Sequence, residues 1–153
     1  PFNTLFLLGE DSARGVLLDR LNKFSEKMLP EEITAETVLM GGDGGVNGGA
    51  NLFPRLYVEL YQASLERDFQ RMAQLQKQVI EVSRMLYNLG QYGSSYLKGL
   101  KGAASLLGLC GPYLAPPFRQ FKELEMEMIA NNLKVIQTNI QKIGLSRPTK
   151  HYI

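Results

Sequence analysis

The stretch Val38-Leu39-Met40-Gly41-Gly42-Asp43-Gly44-Gly45-Val46-Asn47-Gly48-Gly49-Ala50-Asn51 has six glycines among residues 41–51 and is closed by Leu52-Phe53-Pro54. An apolar triplet precedes it and an apolar, proline-started segment follows, so it is held at both ends. Glycine in a held segment makes room: it lets a ligand or another backbone approach closely and permits positive φ. A phosphate cradle would need a Gly-Lys-Ser/Thr sequence, which the run lacks. Other chemistry-bearing residues are sparse. Glu10 and Asp11 are adjacent, and neighbours on a strand point to opposite faces, which argues against an acid/base pair and for capping or solvated carboxylates. Cys110, in Leu109-Cys110-Gly111, has no histidine beside it and is expected to be a small buried residue. His151 is the one histidine, which leaves almost nothing for a metal site, and none is expected. Tyr87, Tyr92 and Tyr96 carry phenols that could line a pocket, although core and interface packing is the simpler expectation.

The elements that must position these residues follow from apolar spacing. Thr4-Leu5-Phe6-Leu7-Leu8, stopped by Gly9, has the continuous apolar pattern of a strand buried on both faces. Ser12 can cap a helix with Val16, Leu17, Leu21 and Phe24 on one face. Phe24-Ser25-Glu26-Lys27-Met28-Leu29 is ambiguous, because two adjacent charges suit a central parallel strand poorly. Pro30-Glu31-Glu32 starts a helix running to about Thr37, with acidic residues where the helix dipole favours them. From Pro54 the pattern is helical almost to the end. Leu56, Leu60 and Ala63 share one face, and Asp68 caps a helix striped by Met72, Leu75, Val79, Val82 and Leu86 that Gly90 ends. Ser94 or Ser95 opens a third through Leu97, Leu100, Ala104 and Leu107, stopped at Gly108. Gly111-Pro112 and Pro116-Pro117 make an extended connector. Residues 121–143 form the last helix, with Phe121, Leu124, Met128, Ile136, Ile140 and Ile143 at helical spacing. Strands followed by helices indicate a parallel α/β architecture, but two or three strands are too few for a closed sheet.

Bulk properties narrow the function class. The 153 residues are the size of one domain, with 44% apolar and 21% charged content. A net charge of +2, with no basic run laced by aromatics, argues against a nucleic-acid partner. No apolar stretch reaches membrane-spanning length and no signal segment opens the chain, so a membrane partner is not expected. A single cysteine precludes an internal disulfide and fits a cytoplasmic setting. The chain opens on Pro1 and moves straight into an apolar run, as a chain cut from a longer one would.

Residues 40–51, followed by Pro54, resemble the eighth-strand segment of the dihydrodipicolinate synthase and N-acetylneuraminate lyase family, which usually has the form G-G-x-G-V-I-S-x-x-A-N-x-x-P. Leu100-Lys101-Gly102-Ala103-Ala104-Ser105-Leu106-Leu107-Gly108-Leu109, then Pro116-Pro117-Phe118, resembles the family's C-terminal segment, so the likeness covers roughly residues 30–140. It implies an α/β fold, the C-terminal part of a (β/α)8 TIM barrel with two to three parallel strands plus a helical extension. Residues 1–53 would be partial barrel, 54–66 its final helix and 67–153 the extension. Family chemistry implies a lysine Schiff base with pyruvate, the iminium serving as electron sink for carbon-carbon bond making or breaking, with no cofactor.

The family's lysine strand, its proton-shuttling tyrosine and its Gly-Thr-Thr segment have no intact match. Gly9-Glu10-Asp11-Ser12 falls in one register where the lysine strand belongs, with Glu10 at the lysine position and Leu29 where the seventh strand has glycine. In another register Leu7-Leu8-Gly9-Glu10-Asp11-Ser12 is the seventh strand itself. Lys23 and Lys27 lie in a charged helix end or doubtful strand, and Lys98 and Lys101 on a C-terminal helix, where solvated lysines are the expectation. The resemblance thus implies no catalytic residue in this chain and a pyruvate or 2-keto acid site floored by Gly45, Val46 and Asn47, belonging to a homo-oligomeric aldolase or lyase of which this chain is an inactive fragment. The competing expectation is a lysine-less half-barrel that self-associates through its open sheet edge as a scaffold.

Overall fold

The computed structural model describes residues 30–90 and 93–145. Five α-helices are present among them: α1 (Thr34–Leu39), α2 (Pro54–Leu65), α3 (Phe69–Leu86), α4 (Ser95–Leu106) and α5 (Glu123–Lys142). Short 3-10 turns at Pro30–Ile33 and Gly48–Asn51 lead into α1 and α2. Pro54 occupies the first turn of α2, where its missing N–H costs nothing. Asp68 caps α3, its carboxylate accepting the Arg71 amide at 3.0 Å.

Four of the helices stop in the same way. After α1, the Gly42 N–H donates to Thr37 O and the Gly41 N–H to Val38 O, a paired closure that requires a left-handed residue at position 41. Gly41 supplies it at φ +87°. The equivalent closures follow α4 at Gly108 and α5 at Gly144, while after α2 the left-handed residue is Arg67.

The helices pack as a layered cluster, α1 on α2, α2 on α3, and α3 and α4 on α5. The expected stripes of α2 and α3 are all buried: Leu56, Leu60 and Ala63, then Met72, Leu75, Val79, Val82 and Leu86. On α4 the buried face is instead made of small residues, Ser95, Gly99, Gly102, Ala103 and Ala104, because the helix lies directly against backbone. A Cβ on Gly99 would overlap the Leu86 carbonyl oxygen. On α5 the core face is Ile129, Leu133, Ile136 and Ile140, whereas Leu124 and Met128 are exposed, Leu124 by 68%. Of the expected stripe, Phe121, Ile136 and Ile140 are buried and Ile143 packs against the core, but Leu124 and Met128 turn outward and Ile129 and Leu133 take the inward positions against α3 and α4.

The strand content differs from expectation. The apolar segments 4–8 and 24–29 lie outside the described residues. The segment expected as an eighth strand forms none: Val38 and Leu39 are the last turn of α1, and residues 43–47 are irregular, so the described residues contain no strand. A strand exists only as part of a ladder, and in this segment only Gly42 makes an isolated bridge. Cys110 is exposed rather than buried, because it follows the Gly108 turn into the connector.

Gly99→Ala should therefore destabilise the protein by roughly 1–3 kcal/mol, against the usual gain from alanine in a helix. Gly93→Ala, with open space around the new Cβ, should stay within about 0.5 kcal/mol. Urea unfolding of the two variants tests the contrast.

Candidate functional site

The glycine run divides into an exposed tip and a fastened base. Gly45 and Val46 are exposed, Val46 by 64%, and Gly44 bends the chain at φ +134°. Asn47, expected with them in the pocket floor, is only 8% exposed. Its Nδ2 donates to Thr34 Oγ1 at 3.0 Å, and that hydroxyl donates to the Glu31 carbonyl at 3.0 Å. With Nδ2 committed to Thr34, Asn47 Oδ1 faces the Gly45 backbone without a hydrogen-bond partner. A Cβ on Gly45 would come within 2.9 Å of that oxygen, so the run stays glycine here to leave the amide its place.

Below Asn47 the base is held by a buried carboxylate. Glu31 is 2% exposed. Its Oε2 accepts the Gly49 N–H at 3.0 Å, the Tyr57 hydroxyl at 2.7 Å and the Tyr87 hydroxyl at 3.4 Å, and its Oε1 accepts the Tyr96 hydroxyl at 3.0 Å. Cβ atoms on Gly48 and Gly49 would collide with the Tyr96 and Tyr57 hydroxyls respectively. The Gly48-Gly49 pair is therefore the space into which the phenols fit. The Tyr87 and Tyr96 rings meet edge to face, with centroids 4.6 Å apart.

Sequence reasoning placed Glu31 in a helix first turn and the tyrosines in apolar packing. The structure brings Glu31, Tyr57, Tyr87 and Tyr96 together from segments up to 65 residues apart. The available signal was the co-occurrence of a glycine pair and tyrosines at helix ends, which has no fixed spacing in the chain. Tyr92 and the Glu10-Asp11 pair lie outside the described residues. Lys98 stacks over Phe121, its Nζ 5.6 Å from the ring centroid. No group of three or more potential metal ligands occurs among the described residues, and no described helix is long and apolar enough to cross a membrane.

Burial, followed by the Glu31 charge, holds the Tyr57, Tyr87 and Tyr96 hydroxyls well above the usual phenol range. They stay protonated and donate to the carboxylate. Because the folded pKa is raised, this contribution to stability is complete below pH about 10 and is lost as pH rises toward the folded values. In alkaline titration followed by tyrosine absorbance, these three phenols should ionise together with unfolding, in a step above the usual phenol range. Glu31→Ala, which takes the acceptor from two buried hydroxyls, one half-buried hydroxyl and an amide, should lower stability by about 3 kcal/mol or more in urea unfolding.

Residues 23–136 match the model of the Dihydrodipicolinate synthetase family. The chain is 29% identical over 108 residues to an uncharacterized DapA-like lyase of Pyrococcus abyssi, covering 70% of this chain and 34% of that protein. It is 27% identical over 104 residues to the 4-hydroxy-tetrahydrodipicolinate synthase of Methanopyrus kandleri, covering 68% of this chain and 33% of that one. A solved dihydrodipicolinate synthase structure from Bacteroides thetaiotaomicron, a TIM barrel, is 53% identical, with a TM-score of 0.68 over 69% of this chain and 36% of its own. The chain thus spans about a third of the length of these relatives. The family match over residues 23–136, most of its length, makes this chain a member of the dihydrodipicolinate synthetase family.

Proposed function

We propose that the chain is the C-terminal portion of a pyruvate-dependent aldolase or lyase, in which Gly45, Val46 and Asn47 form the floor of a keto-acid pocket. The observation that carries this reading is the exposed Gly45-Val46 segment, side-chain-free at Gly45, above a base fastened at Asn47 and Gly49. A bare backbone tip admits a small ligand to main-chain N–H and C=O groups, and a fixed base keeps those groups in place before the ligand arrives. Barrel enzymes put such segments at the C-terminal ends of their strands, where the active site lies. Residues 54–66 then serve as the final barrel helix and 67–153 as the helical extension, in a cytoplasmic homo-oligomer.

The chemistry proposed for the complete enzyme is a lysine Schiff base on the pyruvate ketone, which stabilises a carbanion at the adjacent carbon. This chain does not supply the nucleophile. Glu10 stands at the matched position in one register, and a carboxylate cannot condense with a ketone. Among the described lysines, Lys98 is engaged with Phe121. We therefore assign the chain a pocket-forming part and no catalytic turnover of its own.

Borohydride reduction in the presence of pyruvate, followed by intact mass, should leave the chain unmodified, and a lysine adduct would overturn the assignment of inactivity. Amide spectra of the labelled chain titrated with pyruvate should shift Gly45, Val46 and Asn47. Shifts confined to other residues would refute the pocket floor.

A further inference from the structure

Both ends of the segment 47–49 are tied to one residue. The Glu31 side chain accepts the Gly49 N–H at 3.0 Å. Its main-chain carbonyl accepts the Thr34 hydroxyl, which in turn accepts Asn47 Nδ2, each at 3.0 Å. Between these anchors, Tyr96 donates to Glu31 Oε1 and fills the volume a Gly48 side chain would take. We infer that Glu31 is a positioning residue of the keto-acid pocket, a two-armed clamp that fixes the height and tilt of residues 45–47 without touching the ligand. The inference rests on the reading of those residues as the pocket floor.

The geometry requires both arms. With only the carboxylate arm, the chain would pivot at Gly48, and the bare tip beyond it has no side chain in the core to stop the rotation. The Thr34 relay removes that pivot by holding the residue immediately before Gly48. Thr34 and Thr37 are themselves set by Glu31 O and Ile33 O, so the relay starts from the turn that carries Glu31. Four donors converge on the carboxylate, and a carboxylate has about four acceptor sites. A neutral amide in its place accepts through one oxygen and cannot satisfy them all. Small displacements of positioning groups are felt strongly in ligand recognition.

The test uses the full labelled chain. Thr34→Val keeps the shape and removes the relay, Thr34→Ser restores the hydroxyl, and Glu31→Gln removes the charge from the other arm. With thermal midpoints recorded alongside, Thr34→Val and Glu31→Gln should each raise the pyruvate concentration for half-maximal shift of Gly45, Val46 and Asn47 about tenfold. Thr34→Ser should return to within about twofold of the parent, a rescue that general loss of packing would not show. Folded Thr34→Val and Glu31→Gln proteins with unchanged pyruvate response overturn the clamp. Should Glu31→Gln fail to fold, the Thr34→Val and Thr34→Ser pair decides by itself. If the parent chain shows no pyruvate-dependent shift, the pocket reading falls instead, and amide exchange judges the clamp: faster exchange at residues 45–49 in the variants sustains it, and unchanged exchange removes it.

Discussion

A carboxylate out of water is tolerated only where protein donors replace its hydration, and Glu31 meets that condition with three phenols and a backbone amide. The donors come from the turn before α2, from α2 itself, from the end of α3 and from the start of α4. One charge therefore specifies how four segments meet. Packing alone cannot replace any of these donors: with one withdrawn, an acceptor site of a carboxylate only 2% exposed loses its partner. The raised phenol pKa values are the other face of the same arrangement, since an anion beside a buried hydroxyl disfavours a second anion.

This arrangement explains why the glycine run is glycine for two different reasons. Gly48 and Gly49 are small because tyrosine hydroxyls occupy the positions of their side chains. Gly44 is glycine for its backbone angle, which turns the exposed tip. Rigidity below and bare backbone above are properties of neighbouring residues in one run. They allow main-chain groups to be presented at a fixed height without a rigid loop at the surface.

The helical layers behave as ordinary packing, with one exception that bears on the site. The small-residue face of α4 lets it sit against the α3 backbone at Leu86, next to Tyr87, and this close approach carries Tyr96 toward Glu31. A bulkier α4 face would move the Tyr96 hydroxyl outward. Packing at Gly99 and hydrogen bonding at Glu31 are thus one design seen at two positions along the helix.

The sequence by itself determined the helices whose apolar period is unambiguous, α2 and α3 with their caps, the stop at Gly108, and the family through the residues 40–51. Local spacing is enough for those, because a stripe or a cap is written within a few residues. It did not decide that Leu124 and Met128 on α5 turn outward while Ile129 and Leu133 turn inward, nor that the first helix runs past Thr37 through Leu39, since both depend on which neighbours are present to pack or to pair. Nor did it place Asn47 inside and Val46 outside. Only the tertiary structure gathered Glu31, Tyr57, Tyr87 and Tyr96, because the pairing of a buried charge with its donors is a matter of distance in space and leaves no period in the chain.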